Sequence, residues 1–152
     1  MRTCTLILSL LLLVSCNSQE KGSLDNEILS RKIFDNLKSG DLEKYRLLIP
    51  GKAEYKRYYD LKKWDQSSFD QAYDDMRRIQ AASFTAFYQD FSDWSVAEYA
   101  NTQQAAAKTE NVAEASLITK IRVNGEVRKY TCKAYKLNGR WYAAGDFQWV
   151  PQ

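Results

Sequence analysis

Histidine does not occur anywhere in the 152 residues of this chain. Its absence removes the side chain most often used as a general base near neutral pH, and with it a principal metal ligand. Thiols are scarce as well, limited to Cys4, Cys16 and Cys132. Carboxylate oxygens remain for a metal, but neither Asp74-Asp75 nor the acidic stretch 110–114 has the spacing of a calcium loop. There is no Gly-rich phosphate loop, P-loop or nucleophile elbow. No metal and no cofactor is therefore expected. No apolar run reaches the ~20 residues of a membrane-spanning helix; residues 6–14 come closest and are interrupted by Ser9. A strong excess of one charge is lacking too, and the formal net charge of +3 argues against duplex nucleic acid as a partner.

What the short apolar run does supply is an address. Arg2 precedes it and small residues follow it, which is the order of a secretory signal. Its end, Leu13-Val14-Ser15-Cys16, resembles the bacterial lipobox, in which the Cys is diacylated and becomes the first residue of the mature protein. The resemblance implies a signal peptide at 1–15, a lipidated tether at 16–23 and a single domain at 24–152. It implies lipid attachment at Cys16, the membrane as a partner through that lipid, and residence in the bacterial cell envelope. Asn17 after the Cys, rather than Asp, points to the outer membrane under the Gram-negative sorting rule. Cys4 leaves with the signal and Cys16 is consumed by the lipid, so the domain keeps Cys132 alone and forms no intramolecular disulfide. Such a free thiol is ordinarily a small buried hydrophobe.

The remaining residues suffice for one ordinary domain. They hold all of the Trp, Tyr and Phe of the chain, so a core of useful size stands without disulfides. Asp25 reads as a helix cap, Leu29, Ile33 and Leu37 as one apolar face, and Gly40 as the stop. Asp41 caps a short second helix that ends before Pro50. Residues 51–64 lose the period and predict a loop, with room for a short strand or a helical turn. Ser67-Ser68-Phe69-Asp70 fits a capping box and opens the longest helix, which runs to about Phe91. From Trp94 the period becomes two, predicting a strand over 94–101 and a loop or frayed hairpin over 102–111.

Two Asn-Gly dipeptides, Asn124-Gly125 and Asn138-Gly139, sit between strand-like runs and predict two-residue hairpins. Tight turns at both places pair Val123 with Glu126 and Leu137 with Arg140. Extended outward, that register sets Leu117 beside Cys132, Ala143 opposite Ala134, Gly145 opposite Cys132 and Phe147 opposite Tyr130. Ala115, Leu117, Ile121, Tyr130, Cys132, Ala134, Trp141, Ala143, Gly145, Phe147 and Trp149 then share one face. Lys120, Arg122, Lys129, Lys133, Asp146 and Gln148 share the other. A one-residue slip in either turn would mix the two sets. The small centre of the apolar face predicts a curved sheet wrapped around the long helix. The fold class expected is α+β, with two to three N-terminal helices packed on a curved antiparallel sheet of about four strands.

Three phrases carry a further resemblance: Leu37-Lys38-Ser39-Gly40-Asp41-Leu42, Asp93-Trp94, and Leu137-Asn138-Gly139-Arg140-Trp141-Tyr142. With the order of helices and strands, they resemble the small exported lipoproteins of the nuclear transport factor two-like superfamily, which has the cystatin-like α+β fold. That resemblance implies a conical space between sheet and helices that hosts isomerases, dehydratases and plain binding modules. An enzyme of this kind needs an acid or base there, and no Asp or Glu falls on the apolar face of the last three strands. A functional reading has Arg128 and Tyr130 hold an anionic or hydroxylated ligand between apolar walls of Phe147 and Trp149. The plainer reading has Arg128 reach water at the sheet edge while Tyr130 completes the core.

The segment 52–64 interleaves five basic residues with Tyr55, Tyr58, Tyr59 and Trp64. Tyr55, Tyr58, Tyr59, Lys62 and Trp64 are candidates for a surface that meets lipid headgroups, a glycan or a partner protein; in the plainer reading the aromatics tuck under the sheet. The expected function is a non-catalytic, lipid-anchored module that binds an envelope protein or a small apolar ligand. The alternative is an isomerase or dehydratase using a carboxylate and Tyr130.

Overall fold

The computed structural model of the chain describes residues 21–105 and 113–151. Cys16, the segment 1–15 and the part of the expected loop at 106–111 lie outside the described residues. The architecture is α+β: four α-helices followed by an antiparallel sheet in the order β1-β2-β3-β4, with a short β5 that also pairs with β3.

Local chemistry sets the first helices as the sequence predicts. Helix α1 (Asn26–Ser39) begins at Asp25, whose carboxylate accepts the Glu27 and Ile28 amides at 2.7 and 3.2 Å. It ends at Gly40, which adopts the left-handed φ of 66° needed to close the last turn. Asp41 caps α2 (Leu42–Arg46) by accepting the Lys44 amide at 2.9 Å.

Residues 51–64 depart from the expected loop. Helix α3 (Lys52–Leu61) occupies most of them and starts at Gly51 without a side-chain cap. Tyr55, Tyr58 and Tyr59 stand at i, i+3 and i+4 and form its buried face. The capping box is not formed either. Asp65 caps a 3-10 turn at Gln66–Ser68, and the Ser68 hydroxyl is engaged by Tyr59 Oη at 2.8 Å. Helix α4 (Phe69–Gln89) follows directly, and a second 3-10 turn at Ser92–Val96 takes up what the alternation assigned to the first strand. Strand β1 (Glu98–Ala105) therefore starts four residues later than expected.

Strands β2 (Ala113–Val123), β3 (Glu126–Leu137) and β4 (Arg140–Ala143) have the predicted register through both Asn-Gly turns. Asn124, Gly125, Asn138 and Gly139 all take positive φ, as such two-residue turns require. The register changes beyond Ala143. Gly145 and Asp146 adopt φ of 70° and 55° and bulge outward, while Lys133 bonds both Ala144 and Gly145 through its backbone. Trp149 of β5 (Gln148–Trp149), not Phe147, consequently faces Tyr130. The shift is two residues, so the faces do not exchange: Asp146 stays outside, 2.6 Å from Lys133, and Trp149 stays inside.

The sheet meets three helices, α1, α3 and α4, rather than wrapping the long one alone. Helix α1 lies against β1, β2 and β4, whereas α4 packs on α2 and α3. Phe84 and Phe87 of α4 reach Phe147, Tyr130 and Trp149 through their rings, and Gln80 lies under Gly145. Gly22 and Ser23, expected in the tether, belong to the domain. Ser23 exchanges backbone hydrogen bonds with Trp141, and the Leu48 carbonyl accepts the Ala143 amide, so the outer edge of β4 is covered.

Gly145 is constrained by its φ more than by crowding, since a Cβ there would stand 3.4 Å from Gln80 Cγ. Gly145→Ala should lower stability by about 1–2 kcal/mol from the left-handed backbone alone. Lys133→Ala removes one exposed ion pair and should cost no more than about 1 kcal/mol. Urea midpoints at unchanged slope measure both; equal losses would contradict the assigned register.

Candidate functional site

The space between sheet and helices is occupied by the protein's own side chains. Tyr130 is 0 % exposed and is ringed by Phe87, Trp94, Trp149 and Phe147 at centroid separations of 5.4 to 6.3 Å. Tyr45 is equally buried and stacks on Phe84 at 4.4 Å. Neither phenolic oxygen has a well-formed hydrogen bond. Thr119, across the strand from Tyr130, shares its hydroxyl with Thr102, which is bonded to Tyr99. Burial pushes the Tyr130 phenol well above its ordinary range, reinforced by the neighbouring Cys132 and opposed by Thr119. Such a phenol donates a proton in a hydrogen bond but does not ionise near neutrality. Among the described residues no Asp or Glu is buried, so no interior carboxylate stands beside Tyr130 to act as an acid or base. Tyr130 is sealed from solvent.

Of the other three residues of the expected ligand site, Arg128 and Trp149 line one cavity near the end of the sheet, whereas Phe147 lines a separate hollow on the α4 side. Arg128, on the inward face of β3, holds its guanidinium carbon 5.3 Å from the Phe91 ring centroid. Its Nε is enclosed and has no hydrogen-bond partner, and Arg128 belongs to none of the ion pairs among the described residues. Trp149 is braced by Phe87 at 4.8 Å and Phe91 at 5.1 Å, and its indole N–H donates to Asp90 at 3.2 Å. A cavity of about 300 Å³ opens between Arg128, Lys129, Trp149 and Val150. On the α4 side lies a second hollow of about 320 Å³, lined by Ser83, Ala86, Phe87, Asp90 and Phe147.

Lys129 and Val150 were not legible as site residues, because alternation puts Lys129 on the solvent face. They enter because β5 covers β3 only as far as Lys129, whose carbonyl accepts the Val150 amide at 2.9 Å. Beyond that point β3 has a strand on one side only, and side chains from both of its faces reach the open edge.

The aromatic surface expected around α3 is turned inward. Tyr55, Tyr58 and Tyr59 form a second core with Phe69, Leu137 and Tyr142. Trp64 is the one of the four aromatics left substantially exposed, at 45 %, and it packs edge-on against Tyr58 and Tyr59. Lys62 is bound to Glu114 at 3.0 Å and lies over the Tyr58 ring. Lys52 and Lys56 cover Phe69 and pair with Asp70 and Asp60. Three of the five basic residues, Lys52, Lys56 and Lys62, thus lie over rings that face the core and are paired with carboxylates.

Cys132 is buried, and its thiol is pushed up to about 12, chiefly by burial and then by the charge of Asp146. Iodoacetamide at pH 8 should leave it unmodified in the native protein and label it in urea. An unfolded thiol titrates near about 8.5. Its contribution to stability is full below that pH and is lost as pH rises toward 12; Cys132→Ala should therefore lose less stability than the parent between pH 7 and pH 10. Tyr58→Ala should cost about 3–5 kcal/mol in denaturant unfolding, as aromatic truncation in a core does. A surface role for Tyr58 would leave stability unchanged.

Comparison of the chain with protein-family models, with curated proteins and with solved structures finds no match.

Proposed function

We propose that this chain is a lipid-anchored protein of the bacterial cell envelope, held at the outer membrane by acyl chains on Cys16, and that its domain is a non-catalytic binding module. The anchor rests on the basic–apolar–small order of residues 1–16 and the Leu13-Val14-Ser15-Cys16 ending. Acylation with two or more chains gives stable attachment where one chain is marginal. The resemblance to the nuclear transport factor two-like superfamily belongs to the same proposal, supported by helices followed by a curved antiparallel sheet.

One observation carries the binding reading. The interior is filled by aromatic side chains, while an open cavity lies beside Trp149 at the rim of the sheet. A pocket enzyme would need a carboxylate of raised pKa within reach of Tyr130, and no buried Asp or Glu exists among the described residues. A rim cavity with an unpaired guanidinium and an indole wall suits recognition.

The anchor is tested by mass spectrometry of the mature N-terminus from the native envelope. The expected result is a diacylated Cys16 as the first residue, and release of a folded domain when Cys16→Ser is introduced. An intact Met1, or a soluble product cut elsewhere, overturns it.

A further inference from the structure

We propose that the cavity between Arg128, Lys129, Trp149 and Val150 binds a small organic acid, with its carboxylate on Arg128 and Lys129 and a compact apolar body against Trp149. This rests on the binding reading and names the ligand class of that site.

The chemistry of the lining supports one anionic group and no more. Arg128 brings five N–H donors in a planar fork. Its Nε is enclosed and unpartnered, which leaves the paired Nη end to grip a planar carboxylate from the cavity. None of the ion pairs among the described residues engages Arg128 or Lys129. Asp90, the nearby acid on α4, is bonded to the Trp149 indole. Asp90 keeps its charge there but forms no ion pair with Arg128, so among the described residues neither Arg128 nor Lys129 is held in an ion pair. Phe91 under the guanidinium holds it at 5.3 Å and keeps its underside dry.

The other walls are apolar. Trp149 is packed among Phe87, Phe91 and Trp94, so its ring is already fixed before any ligand arrives. A pre-set wall lowers the ordering cost of binding. Val150 continues the apolar surface into an adjoining hollow of about 310 Å³ lined by Val127, Lys129, Val150 and Pro151. A polyanion such as inorganic phosphate would leave its remaining oxygens against Trp149 and Val150 without partners, which costs free energy. A monocarboxylate with an apolar body satisfies both halves of the site. Its volume places it at the small end of ligand cavities, about 300–1,000 Å³.

The test uses the mature acylated protein in detergent, with phenylacetate as probe, phenylacetamide as its neutral counterpart and inorganic phosphate as the simple anion. The readout is the Trp149 indole N–H resonance, assigned with Trp149→Phe, together with titration calorimetry. Phenylacetate should shift that resonance saturably and bind about tenfold or more tightly than phenylacetamide, because the amide lacks the charge. Arg128→Gln should weaken phenylacetate about tenfold or more while the melting temperature and the unliganded indole resonance stay put. Lys129→Gln should weaken it only a few-fold, and Tyr130→Phe should have no effect on it. Three results overturn the proposal: no saturable shift in the folded protein, equal binding of acid and amide, or binding of phosphate in preference to phenylacetate. Native mass spectrometry of the same preparation separates this from the broader reading. A co-purified small molecule retained in Arg128→Gln keeps a binding module and removes this site, and the acylated mass reports the anchor independently.

Discussion

Strand β3 is held on one edge from Glu126 to Lys136 by β2 and on the other in two pieces by β4 and β5. Each pairing dictates which of its side chains face the helices. Because side chains alternate with period two, a slip of one residue would carry Lys133 into the core and Cys132 out of it. Two Asn-Gly turns exclude that slip from both ends of the strand. The position of Tyr130 inside, Arg128 at the inner rim and Lys133 outside all follow from this one lock. The two-residue bulge at Gly145 and Asp146 is tolerated for the same reason: an even insertion moves the pairing partner but preserves the face.

The lock leaves β3 uneven. Its middle is covered on both edges, and there the aromatic rings close over Tyr130. Its first residues, 126–128, have β2 alone beside them. The unpaired edge is where side chains of opposite faces converge, and where Arg128, in no ion pair among the described residues, stands beside a braced indole. Packing and recognition are thus separated along a single strand, the centre filled and the end open.

The second core is built on different terms. Tyr58 and Tyr135 stack at 4.8 Å, with Tyr55, Tyr59 and Phe69 around them. The phenolic edges are served by polar groups at the boundary, Tyr59 by Asp65 and Ser68 and Tyr58 by Glu114. Lys52, Lys56 and Lys62 lie over the ring faces as cations do on aromatic surfaces. A segment rich in Tyr and Lys is therefore compatible with burial: the rings turn in while the charges lie across them.

Elements whose geometry is dictated within a few residues were legible from the chain alone. Asp25, Gly40 and Asp41 set helix ends through hydrogen bonds to their immediate neighbours, and Asn124-Gly125 and Asn138-Gly139 set turns through their tolerance of positive φ. From those turns the register and inward face of β2, β3 and β4 follow by counting. Helix α3 was missed because it lacks a side-chain cap, although Tyr55, Tyr58 and Tyr59 already stood at helical spacing. The Ser67–Asp70 capping box failed because Asp65 caps a 3-10 turn there and takes both the amide and the hydroxyl of Ser67. Of the candidate ligand site, the inward face of Arg128 and Trp149 followed from alternation, while the two-residue shift that separates Phe147 from Arg128, the sealing of Tyr130 and the entry of Lys129 and Val150 did not. Those depend on how far β5 runs along β3 and on which rings of α4 close over the sheet. Caps, turns and strand faces are short-range or periodic and so are written in neighbouring residues; which side chains fill the interior and where the sheet edge stays open rest on contacts between residues far apart in the chain and emerge only on folding.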